Sequence, residues 1–176
     1  MPDGKAVIVP LTVKNGDSDL ALIRLDHPDA AIVLSTEPGY QSDPAPSPDG
    51  QWIAFTSDRS GRAEVLLARF ADDGKTAQLS GQRLPVSTAG GFNPHWQRDG
   101  RELIYIAPDQ MLMAVAVTRA GDMLTLGKPT PVFRLPADAG GLASALSANA
   151  DHSKFVVADA PNAEGQTFRV MTGALK

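Results

Sequence analysis

The sequence predicts an all-β fold of about four antiparallel, four-stranded repeats. Three observations carry this: a recurring aspartate turn, apolar columns in register behind it, and enough glycine and proline, 16 and 14 residues, to punctuate many short turns. The turns are Pro2-Asp3-Gly4-Lys5, Pro48-Asp49-Gly50-Gln51, Arg98-Asp99-Gly100-Arg101 and Ala150-Asp151-His152-Ser153. Their aspartates lie 46, 50 and 52 residues apart. Behind them align Val7, Ile53, Leu103 and Phe155, then Ile8, Ala54, Ile104 and Val156, then Val9, Phe55, Tyr105 and Val157. The physical reading is a hairpin. Aspartate folds its carboxylate onto nearby backbone N–H groups, and glycine takes the positive φ. The strand that follows is apolar on consecutive residues, as expected when sheets stack on both its faces. Repeats of this length with four short strands are the signature of β-propeller blades.

Taken in order, the blades fall near residues 1–36, 40–87, 90–136 and 140–176 of a single domain. In the first, the strand after Lys5 turns at Asn15-Gly16-Asp17-Ser18 into Leu20–Leu25, and an outer strand follows at about 30–35. In the second, an inner strand at about 43–47 precedes the Asp49 turn. Asp58-Arg59-Ser60-Gly61 then leads into Val65–Ala68, with an outer strand at about 83–87. The third has its inner strand at about 92–97, the turn Pro108-Asp109-Gln110, the run Met111–Val117 and an outer strand at about 131–135. Residues 118–130 are long enough for an extra hairpin. In the fourth, register places an inner strand at 142–147, although Leu142–Leu146 has helix-favouring composition. Ala163-Glu164-Gly165 then leads into Phe168–Val170.

The first blade starts at its second strand and the last stops after its third. The expectation is therefore an incomplete propeller, completed by further blades from the same gene or by a second copy of the chain. An open fan leaves an apolar blade face wet at about 1.5–3 kcal/mol per large side chain.

The stretch Ser47-Pro48-Asp49-Gly50-Gln51-Trp52-Ile53-Ala54-Phe55-Thr56-Ser57-Asp58-Arg59-Ser60-Gly61 resembles the TolB-type β-propeller repeat, whose pattern is SPDG, an apolar strand, FTSDR and glycine. Asn93-Pro94-His95-Trp96 with Asp99-Gly100 is a second copy, and residues 2–10 and 149–158 are weaker ones. Gly127-Lys128-Pro129-Thr130-Pro131-Val132-Phe133 is similar to the final blades of propellers appended to bacterial protein kinases. The resemblance implies a module for protein or peptide contact, often periplasmic or otherwise outside the cytoplasm. It transfers no catalytic residue. Such propellers also serve as accessory or gating domains of serine peptidases and kinases, which is the alternative reading.

Composition narrows the chemistry. There is no cysteine, which excludes disulfides, cysteine-ligated zinc and thiol catalysis. The net charge of −4 and the absence of a Lys/Arg block predict no nucleic-acid partner. The longest apolar run, Met111–Val117, is far below the roughly 20 residues of a membrane-spanning helix. No basic-then-apolar leader opens the chain.

No catalytic residue, cofactor site or metal site is predicted. No serine sits in a G-x-S-x-G elbow. His27, His95 and His152 lie far apart, and His95 reads as a filler between blades. Asp17-Ser18-Asp19 and Asp72-Asp73-Gly74 lack the regular oxygen spacing of a calcium loop. Gly121–Lys128 fails as a phosphate loop because Pro129 stands where Ser or Thr is needed. Trp52, Trp96, Phe55 and Tyr105 stand in repeat register as inter-blade core. Tyr40 and Phe92 instead adjoin glycines at loop ends, where a rigid scaffold presents its contacts. With the turn residues Asp58, Arg59 and Asp109 they are the candidate partner-contact residues.

Overall fold

A computed structural model of the chain describes residues 1–13, 16–121, 123–135, 146–149, 154–158 and 168–172. The described residues form antiparallel sheets and contain no α-helix. The first sheet is β1 (Ala6–Thr12), β2 (Ser18–Arg24) and β3 (His27–Val33) in that order. The second is β4 (Gln41–Pro46), β5 (Trp52–Ser57), β6 (Glu64–Asp72) and β7 (Ala77–Pro85). The third runs β8 (Phe92–Trp96), β9 (Glu102–Ile106) and β10 (Met111–Ala120). On its far side β10 pairs with both β11 (Met123–Leu126) and β12 (Thr130–Arg134). The fourth is β13 (Leu146–Ala148), β14 (Lys154–Ala158) and β15 (Phe168–Thr172). Consecutive up-and-down strands in each sheet are the blade topology. The chain divides into two compact units, Met1–Pro94 and His95–Lys176.

The repeated turn forms as its chemistry requires. The backbone N–H groups of Lys5, Gln51 and Arg101 donate to Asp3, Asp49 and Asp99 Oδ1 at 3.0, 3.1 and 2.9 Å. Gly4, Gly50 and Gly100 sit at φ +69, +70 and +71°. Asp151 and His152 lie outside the described residues, but the bond flanking the turn is present in the fourth sheet. Asn149 N–H donates to Lys154 O at 3.0 Å, as Ser47 does to Trp52 at 2.8 Å and Gln97 to Glu102 at 2.9 Å. The turn Ala107-Pro108-Asp109-Gln110 copies the geometry with Gln110 at φ +67° in the glycine position.

In the first unit the core lies between the first two sheets. The β1–β2 register faces Ala6, Leu20 and Leu22 one way. Against them pack Ile53, Phe55, Leu66, Ala68 and Phe70 of the second sheet, followed by Ala77 and Leu79 of β7. Leu79 N–H donates to Leu34 O at 2.9 Å, tying the sheets along their backbones. Arg24 clamps Asp72 across the same join, with both guanidinium nitrogens on the carboxylate at 2.6 and 3.1 Å. In the second unit, Phe133 and Phe155 meet edge to face at 5.3 Å.

Burial on both faces holds for β5, whose six residues are all buried, and nearly so for β9. It does not hold for β1. Val7, Leu11 and Val33 are 40, 36 and 41% exposed. They lie on the face of the first sheet turned away from Leu20 and Leu22, because side chains alternate along the strands. Trp52, Phe55 and Tyr105 are buried as core, whereas Trp96 is only half-buried.

Two outer strands begin earlier than their apolar residues suggest. β3 starts at His27 and β7 at Ala77. Over Ala77–Leu79 only alternate residues turn inward, so period two rather than a continuous apolar run marks the strand. The long connection after Val117 does contain an extra hairpin: β10 continues to Ala120 and β11 returns after Gly121 at φ +59°. Residues 142–145 and the turn 163–165 lie outside the described residues.

Candidate functional site

The connection from β3 to β4 and the turn from β5 to β6 are locked together. Tyr40 N–H donates to Asp58 Oδ1 at 2.6 Å, and Asp58 N–H returns to Tyr40 O at 3.1 Å. Gly61 N–H closes the turn onto Asp58 O at 2.8 Å. The carboxylate passes so close to Gly39 that a Cβ there would stand 2.4 Å from Asp58 Oδ1, and Gly39 holds φ +98°. This join leaves the Tyr40 ring half in solvent, at 50% exposure. Next to it Glu37 bridges two cations: Arg59 bonds one carboxylate oxygen, and Arg83 Nη2 bonds the other at 2.6 Å. The structure thus brings Tyr40, Asp58 and Arg59 together.

Below this rim is a cavity of about 570 Å³ with Leu66 and Pro85 in its apolar lining and Arg59, Arg62 and Arg83 around it. Glu64 and Ser87 line its inner side, 6 and 1% exposed. Glu64 accepts from Arg62 Nε at 2.6 Å, from Gly90 N–H at 3.0 Å and from the Ser87 hydroxyl. Ser87 Oγ in turn accepts Val65 N–H at 2.8 Å. This hydroxyl–carboxylate pair is fastened on every side and holds the start of β6 to the chain after β7. Nearby, Asp19 is 5% exposed with no partner for Oδ1 among the described residues. Burial pushes its carboxyl up, helped by the negative charges of Asp17 and Glu37.

Phe92 is half-buried at the start of β8. Asp109 belongs to the second unit. It accepts Met111 N–H at 3.1 Å and Arg134 Nη2 at 3.0 Å, and these bonds, Met111's foremost, hold its carboxyl below the usual range. Among the described residues no three His, Asp or Glu side chains come together as a metal site. No described helix is long and apolar enough to cross a membrane.

Sequence reasoning missed Glu37, Arg62, Glu64 and Arg83, whose partners are up to 46 residues away, as Glu37 is from Arg83. It also missed two strained corners. Asp43 and Asn93 take φ +52 and +54° directly before Pro44 and Pro94. Thr56 Oγ1 binds them together, donating to Asp43 at 2.8 Å and accepting Asn93 N–H at 3.2 Å. The legible signal was an Asx-Pro pair recurring 50 residues apart in two inner strands.

No family model and no curated protein matches the sequence. Solved structures do match. TolB from Acinetobacter baumannii superposes with a TM-score of 0.63 at 16% identity, over 97% of this chain and 39% of its own. A candidate TolB from Agrobacterium tumefaciens gives 0.50 at 21% identity, over 74% of this chain and 47% of its own. A candidate 6-phosphogluconolactonase from Bacteroides uniformis gives 0.57 at 14% identity, over 99% and 55%. The chain therefore spans less than two thirds of each of these structures. Its fold is that of consecutive β-propeller blades, as seen in TolB.

Proposed function

We propose that the chain is a non-catalytic binding module that holds a protein or peptide partner on the rim formed by Tyr40, Asp58 and Arg59. The observation carrying this reading is the locked junction itself. Tyr40 is half exposed, its backbone is held by the Asp58 carboxylate, and Arg59, next in the chain, is held by Glu37. Rigid loops on a sheet scaffold are where contacts concentrate, and tyrosine and arginine supply much of the energy of protein interfaces. The buried Ser87–Glu64 pair is saturated by structural bonds and offers no exposed nucleophile.

Photo-crosslinking tests the proposal. A photoreactive residue replaces Tyr40 in one protein and Asp26, exposed at the far end of β2, in another. A discrete adduct from position 40 only, in extract of the source cell, is the expected result. Equal labelling from both positions would refute it.

A further inference from the structure

We infer that the cavity ringed by Arg59, Arg62 and Arg83 is a carboxylate-binding pocket that receives an acidic group of a peptide. This rests on the binding-module reading and names the chemistry it uses.

The cavity's charge favours an anion. Three guanidiniums line the cavity, and two carboxylates, Glu37 and Glu64, are spent on them. Over these five groups the balance is one positive charge; the Asp58 carboxylate, on the rim, is occupied by Tyr40 N–H. The cavity's donors are not used up. Each guanidinium carries five N–H groups. Among the described residues the Arg59 guanidinium bonds only Glu37. Arg62 bonds Glu64 and Thr88 O, and Arg83 bonds Glu37 and Gly81 O. Arg83 is a nine-tenths buried side chain, and its Nε has no acceptor among the described residues. Guanidinium forks match carboxylate oxygens in pairs.

The cavity's shape favours an organic acid. Leu66 and Pro85 give the cavity an apolar lining, which suits a carboxylate on an aliphatic stem better than a phosphate. The volume of about 570 Å³ fits a small ligand or a side chain with its neighbours. The cavity also lies against Arg83 and Pro85 at the end of β7, beyond the Leu79–Leu34 bond; β7 is the last strand of its sheet among the described residues, and a sheet edge is a backbone that an extended peptide can follow.

The test is an NMR titration of the whole chain, labelled with ¹⁵N. The probes are acetyl-Ala-Leu-Glu-Leu-amide, its Gln counterpart, acetyl-Ala-Leu-Gln-Leu with a free C-terminal carboxylate, and inorganic phosphate. Binding of either carboxylate peptide should move the amides of Gly61, Arg62 and Thr88, and which peptide binds identifies the acidic group received. The neutral peptide should bind at least tenfold more weakly. Arg59→Gln should weaken the acidic peptide by roughly tenfold while amides outside the pocket stay in place, which reports an intact fold. Equal binding of the neutral peptide, an unaltered affinity in Arg59→Gln, or phosphate binding without peptide binding overturns the inference. The titration uses no cellular partner. A null result therefore sinks the pocket alone and leaves the crosslinking test of the rim to stand or fall by itself.

Discussion

Gly39→Ala is the sharpest test of the locked junction. The substitution does two separable things. A Cβ at φ +98° strains the backbone by about 1–2 kcal/mol, because the side chain crowds its own carbonyl. It also stands 2.4 Å from Asp58 Oδ1, well inside van der Waals contact, so the carboxylate must leave. The bond from Tyr40 N–H at 2.6 Å is then lost, a further roughly 1–2 kcal/mol for an exposed charge-assisted bond. Together the loss is about 2–4 kcal/mol, read as a shift of the urea midpoint at constant slope. The double-mutant cycle separates the terms. In an Asp58→Ala background there is no carboxylate to displace, so Gly39→Ala should retain only its backbone strain of about 1–2 kcal/mol. A cycle in which the two effects simply add would show that Asp58 and Gly39 are not coupled, and the junction as described would be wrong.

Asp72→Asn should lower stability at pH 7 by about 1–2 kcal/mol, since it breaks the two-pronged bond with Arg24. Arg24 holds the Asp72 carboxyl below its ordinary value. Its contribution is therefore complete above the unfolded value of about 3.9 and disappears as pH falls through the lower folded one, so the two proteins should converge in acid. Asp19 has the opposite sign: burial raises its folded value. Wild-type stability should fall as pH rises from the unfolded value through the folded one, and Asp19→Asn should remove that slope in a pH series of unfolding curves. Phe55→Ala should cost about 3–5 kcal/mol, because the ring is fully buried, whereas Val7→Ala on the 40%-exposed face of β1 should cost under about 1 kcal/mol. Gln110→Gly should stabilise by about 0.5–1 kcal/mol, since Gln110 holds φ +67° where three equivalent turns use glycine; an unchanged melting temperature would argue against strain there.

Local chemistry made the strand order readable. A turn such as Ser47-Pro48-Asp49-Gly50 closes through bonds between residues no more than five apart, so its residues specify it wherever the chain goes. The same locality marked Asp58 and Arg59 as turn residues and placed Tyr40 and Phe92 at loop ends. It failed where strands lack apolar runs, as at His27–Asp29 of β3, because there pairing with β2 rather than side-chain type decides the element. It failed also for the cavity, since nothing near Glu37 in sequence announces Arg83.

By itself, then, the sequence determined the turns, the all-β class and the up-and-down strand order of each repeat, since all are written in neighbouring residues. The tertiary structure alone decided which charges meet. Glu37 finds Arg59 and Arg83, Arg24 finds Asp72, and Thr56 joins Asp43 to Asn93 only after packing sets two sheets side by side. The physical reason is range: a turn is settled by bonds along a few residues of chain, whereas a pocket is settled by burial that draws together side chains tens of residues apart.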